Sequence, residues 1–245
     1  MFDYAYCGPD YALKISTLAQ MAPEKWSFDS RNDNSILKNY IEHTFAKVFD
    51  EGKVSESTAY SLFNTGLYTV YNDQIFAYFI LNRNPGKQKW FFEGFHTTYQ
   101  LGMMGVTQFP ARANYFADPA ALVFNASFNI YLQKEHIFND SDNLSRIPES
   151  VRYSPSKVMM FEAAVEYAKC KIEANYKTAI PQYYKGKIQL LIPISLVNPT
   201  MPDLALVCSL SDSGDTYWGH TCLTLEMAYN NARLIARPDS LWLLP

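Results

Sequence analysis

Ile75-Phe76-Ala77-Tyr78-Phe79-Ile80, then Asn82-Arg83-Asn84-Pro85-Gly86, then Trp90-Phe91-Phe92-Glu93-Gly94-Phe95 is the stretch that decides the fold class. The outer pieces are aromatic and β-branched, as half-buried strands require. The middle piece is a turn, because Pro85 fixes φ and Gly86 admits the positive φ of a tight reversal. A β-hairpin follows. Upstream, Asp33 reads as an N-cap, and Leu37, Ile41, Phe45 and Val48 recur at helical spacing until Gly52 ends the run. Between that helix and the hairpin, Phe63-Asn64-Thr65-Gly66-Leu67 reads as a turn.

Downstream the pattern weakens before it strengthens. Residues 102–129 are broken by Pro110 and Pro119 and read as an irregular connection with one short strand at 122–124. The polar stretch 139–154 is the candidate linker. Ser154 and Pro155 then open a helix whose apolar positions, Val158, Phe161, Val165, Ala168 and Ile172, lie three and four apart. Residues 175–184 read as a loop, because Pro181 interrupts them. Apolar runs at 188–192 and 204–208 read as buried strands, and 217–221 reads as another after a turn at 211–215. Thr224 caps a last helix that runs to about residue 236, before Pro238. No internal repeat is visible. Hairpins flanked by helices, without regular βαβ alternation, predict an α+β fold with a mixed or antiparallel sheet, as one domain over 18–245 behind a leader at 1–17.

Composition sets the limits on function. The chain has 245 residues, 48% of them hydrophobic, with 18 Tyr and 16 Phe, enough for a large core. Four cysteines without a C-x-x-C pair and four histidines predict neither a zinc site nor a disulfide framework, and no cofactor motif occurs. The amino terminus lacks the basic flank and apolar core of a secretory signal, and no apolar run approaches the ~18 residues of a membrane span. A cytoplasmic protein without a membrane partner is the expectation. A net charge of −3 argues against a coat for duplex nucleic acid. Yet residues 152–189 hold seven basic side chains against three acidic ones, so an anionic ligand is drawn there.

The candidate site follows from that polarity. Lys177 offers charge for phosphate, Tyr183 and Tyr184 offer stacking faces, and Asn175 and Gln182 offer base-edge hydrogen bonds. On the last helix Asn230, Arg233 and Arg237 share a polar face with Glu226, and arginine presents a planar fork suited to phosphate. Asn64 beside Gly66, and Arg112 among aromatics, are outlying candidates. No nucleophile elbow, phosphate loop or zinc-ligand motif is present. His220 and Glu226 are the weak candidates for an acid or base.

Five blocks, 63–67, 90–95, 175–184, 189–193 and Leu223-Thr224-Leu225-Glu226-Met227-Ala228-Tyr229-Asn230-Asn231-Ala232-Arg233 onward, resemble the OST-HTH-associated domain. The resemblance spans residues 18 to 243. It implies an RNA-related role, because members of that family occur joined to OST-HTH or cold-shock domains, and it supplies no catalytic residue. Three readings result. The first is an RNA- or nucleotide-binding domain with a compact basic and aromatic pocket for a single strand, a strand end or a nucleotide. The second is a hydrolase acting on RNA phosphodiesters or nucleotides. The third is a protein-interaction domain.

Overall fold

The computed structural model describes residues 1–29, 31–239 and 241–244. They form an α+β fold with ten strands in two five-stranded sheets and eight α-helices, in two compact units, 1–114 and 115–245.

In the first unit the strands are β1 (Ala5–Tyr6), β2 (Ser55–Glu56), β3 (Tyr60–Tyr68), β4 (Gln74–Leu81) and β5 (Trp90–Thr97), and the helices are α1 (Tyr11–Met21), α2 (Ser35–Asp50) and α3 (Thr98–Met103). The expected hairpin is β4 and β5, antiparallel from Ile75 opposite Thr97 to Leu81 opposite Trp90. The expected helix is α2. Its N-cap is Asn34, in a left-handed conformation and without a side-chain cap bond, rather than Asp33, whose Oδ1 instead accepts from the Ser35 amide at 3.0 Å from one residue further out. Leu37, Ile41, Phe45 and Val48 are buried, and Gly52 takes a φ of +65° just past the helix end. Residues 1–17, expected as a leader, supply β1, which pairs in parallel with β5, and the first part of α1.

The Phe63–Leu67 block lies inside β3, contrary to its reading as a turn. It kinks the strand. Register with β4 breaks between Asn64 and Tyr68, Gly66 takes a φ of +74°, and Thr65 Oγ1 donates to the Ile75 carbonyl at 2.6 Å. A Cβ on Gly66 would stand 2.9 Å from the Tyr40 hydroxyl, which donates to the Thr65 carbonyl at 2.8 Å. The turn-forming residues therefore build a bulge in a long strand instead of ending it.

In the second unit the strands are β6 (Asn129–Leu132), β7 (Ile180–Tyr184), β8 (Lys187–Ile194), β9 (Leu204–Leu210) and β10 (Thr216–Leu223). The helices are α4 (Lys134–Asn139), α5 (Ser141–Arg146), α6 (Glu149–Arg152), α7 (Lys157–Ala174) and α8 (Leu225–Arg233). The strand expected at 122–124 lies instead at β6, and a 3₁₀ turn occupies Pro119–Leu122. The stretch 139–154, polar enough to read as a linker, holds α5 and α6, with Asn143 of α5, Val151 of α6 and Ile147 between them buried. α7 buries Phe161, Val165, Ala168 and Ile172 against Leu190, Ile192, Leu206 and Cys208 on one sheet face.

Residues 180–184, expected as loop, form β7. Pro181 is tolerated because β7 is an edge strand, where a missing amide proton breaks no ladder on the open side. Sequence showed no repeat, but topology does. The sheet orders are β1-β5-β4-β3-β2 and β6-β10-β9-β8-β7, each with a parallel pair at the first strand and an antiparallel meander after it. Each meander also ends in a threonine-capped helix: Thr97 Oγ1 accepts from the Gln100 amide, and Thr224 Oγ1 from the Met227 amide.

Candidate functional site

The second unit carries a cleft of 640 Å³, within the roughly 300–1,000 Å³ usual for small-ligand sites. It forms where α7 ends, because Asn175 leaves the helix in an extended conformation and its Oδ1 accepts from the Lys177 amide at 3.1 Å, starting the 3₁₀ turn Tyr176–Thr178. Its lining comprises Lys171, Asn175, Lys177 and Thr178 from the end of α7 and the turn after it, Pro193, the 200–202 loop and Leu225, and Asp239, Trp242 and Leu244 from the carboxy-terminal segment. The Trp242 indole is fixed by donation to the Thr178 carbonyl at 3.0 Å. Lys171 Nζ donates to the Pro199 carbonyl at 2.7 Å and lies 4.4 Å from the Tyr167 ring centre. Lys177 Nζ faces Asp239 Oδ2 at 3.8 Å, an exposed pair of the kind worth little. A smaller groove of 190 Å³ shares Lys177 and Asp239 and adds Arg237.

Two ammonium groups, an immobilised indole and a largely apolar floor suit a small ligand with an anionic end and a flat ring. Asn175 and Lys177 are thus brought together, with Arg237 beside them across the shared pair. A family model described as Domain of unknown function (DUF3825) matches residues 18–242. The chain belongs to that family. The match covers the span over which the OST-HTH-associated resemblance was read, and its description carries no link to OST-HTH or to RNA. No curated protein and no solved structure matches the chain.

The other expected residues of this DUF3825 member lie elsewhere. Gln182 is 1% exposed, donating to Gln189 Oε1 at 2.9 Å and accepting from Asn231 Nδ2 at 3.1 Å, so its amide serves the sheet rather than a base edge. Arg233 is buried too. The inward side of α8 is Ala228, Tyr229, Ala232 and Arg233, which turns Arg233 away from the exposed face on which Glu226 lies. Asn230 is half-buried. Tyr183 is half-buried with its ring 5.1 Å from that of Tyr115, while Tyr184 is exposed with Lys185 Nζ over its ring. Asn64 and Arg112 belong to the first unit: Asn64 spends its amide on Gln74, Pro110 and Gly66, and the Arg112 carbonyl accepts from Lys53.

Neither candidate acid or base lines the cleft. His220 sits at a bulge in β10, where register with β9 breaks between Gly219 and Thr221. Burial lowers its pKa below the usual imidazole value, and His136 and Lys187 nearby act in the same direction. Burial also pushes the Cys222 thiol up to about 12, so it offers no thiolate. Sequence reading missed Lys171 and Trp242. Lys171 was visible only as one charge in the basic segment, and nothing local to Trp242 says that its indole returns to the end of α7.

Proposed function

We propose that the cleft of the second unit binds a nucleotide or the end of a single RNA strand, with phosphate at Lys171 and Lys177 and the base against Trp242. The observation that carries this reading is the convergence of both lysines, Asn175 and Trp242 on one 640 Å³ space. Lysine is a point-charge phosphate ligand, and a fixed indole gives a stacking face at no rotamer cost. The compact space and the acidic total charge favour a nucleotide or strand end over a duplex.

The test is a titration with uridine monophosphate and with a short uridine oligomer at fixed, stated salt. Lys171→Ala combined with Lys177→Ala should weaken binding of both by tenfold or more, and the loss should shrink as salt rises. Equal affinity in the double variant and the parent sinks the proposal.

A further inference from the structure

The face of the second sheet on which α8 packs carries an open row of side chains that the cleft does not use. Register places one residue from each strand in line: Tyr131 of β6 opposite Trp218 of β10, Trp218 opposite Ser209 of β9, and Gln189 of β8 opposite Gln182 of β7. Gln189 Nε2 closes the row by donating to Ser209 Oγ at 3.0 Å. With strands about 4.8 Å apart, the row spans roughly 19 Å across the sheet. Its character changes along its length. Tyr131 and Trp218 are 54% and 45% exposed, with ring centres 5.8 Å apart, while Gln182 at the far end is covered by α8.

Two large aromatics left half in water on adjacent strands have lost burial that a packed sheet normally takes, and each keeps a π-face for a flat partner. Beside them, Ser209 accepts from Gln189 and retains its own proton to donate outward. Positive charge flanks the row. Lys187, two register positions along from Gln189, pairs with Tyr184, and Lys185 covers the Tyr184 ring at 5.3 Å. Of the nearby carboxylates in the β9–β10 turn, Asp212 is exposed, while Asp215 accepts from Ser213 Oγ at 2.6 Å and so is engaged within its own loop.

We infer that this row is a base-stacking platform for single-stranded RNA, with bases on Tyr131 and Trp218, Ser209 at a base edge, and the backbone passing Lys185 and Lys187. Successive aromatic faces with adjacent cations and a hydroxyl are what sequence-tolerant strand binding needs. The inference rests on the cleft reading only for the class of ligand, and it makes that ligand a strand instead of a free nucleotide. Along β8, Pro193 in the cleft and Lys187 at the platform are six residues, about 20 Å, apart, so only an oligomer can reach both.

The experiment compares a uridine oligomer of about ten nucleotides with uridine monophosphate, for the parent, Trp218→Ala, Tyr131→Ala and Lys177→Ala, at fixed salt. Both aromatic side chains are exposed, and circular dichroism with a melting curve checks that each variant keeps its fold. Trp218→Ala and Tyr131→Ala should each weaken the oligomer roughly tenfold and leave the monophosphate unchanged, whereas Lys177→Ala weakens both. Oligomer affinity unchanged in the two folded aromatic variants overturns the platform and leaves the cleft reading standing. An oligomer weakened by Trp218→Ala but indifferent to Lys177→Ala, with no monophosphate binding in the parent, supports the platform and removes the cleft. Self-association abolished by Trp218→Ala, with no oligomer bound by the parent, overturns the platform in favour of a protein-docking face.

Discussion

The two sheets share one connectivity and differ in what lies on their outer faces. In the first, the row that begins with Tyr6 of β1 opposite Phe91 of β5 continues through Ile80 to Tyr60 and is aromatic and aliphatic across these four strands. In the second, the corresponding row begins with Tyr131 opposite Trp218 and continues into Ser209, Gln189 and Gln182. Both start on an aromatic pair, at 6.1 Å and 5.8 Å between ring centres. The first sheet also roofs part of this face with α3 and the chain after it, where Leu62, Phe76, Leu101 and Val106 make a dry cluster. The second puts a hydrogen-bonded amide layer under α8, tied by Asn231 to Gln182. The same frame thus supports a hydrophobic closure in one unit and a polar surface in the other.

That contrast has measurable consequences. Phe76 is fully buried in the dry cluster, so Phe76→Ala should lower the stability of the first unit by about 3–5 kcal/mol in denaturant unfolding. A loss below ~1 kcal/mol would mean that the cluster collapses around the gap and is not closely packed. Gln182→Ala should cost less, about 1–3 kcal/mol, because Gln189 Oε1 and Asn231 Nδ2 each lose a partner. An unchanged midpoint would show that water replaces the amide and that the layer is not structural. The smallest effect is one of pH. His220 binds its proton less readily in the folded chain than in the unfolded one, so the unfolded state holds more protons as pH falls below about 6.5. Stability should therefore decline on acidification below that value, and His220→Gln should flatten the decline in melting curves recorded between neutral and mildly acidic pH. A slope identical in both proteins assigns the decline to other groups.

Much of this was legible from local pattern. α2 and α7 come from apolar spacing, the β4–β5 hairpin from its turn residues and the last helix from its Thr224 cap, signals that act over one or two turns of chain; α7 itself starts at Lys157 behind Ser156, two residues later than Ser154 and Pro155 suggest. Phe63–Leu67 and residues 175–184 were misread for the same reason: Gly66 and Pro181 disfavour regular structure locally, but a bulge accommodates the first and an edge position the second. The candidate site divides along the same line. Lys177 and Asn175 follow directly on α7 and line the cleft. Gln182 and Arg233 have equally suitable chemistry, yet pairing and helix rotation bury them.

By itself, the sequence determined the α+β class, most of the elements and the basic segment that holds the cleft lysines, because those depend on near neighbours and composition. Tertiary structure alone decided the repeated strand order, the return of Trp242 to Thr178, and the line of Tyr131, Trp218, Ser209, Gln189 and Gln182. Each joins residues far apart in the chain, and no local periodicity encodes which strand lies beside which. Edge pairing by strands as short as β1 and β6 is set by the packing of the whole unit.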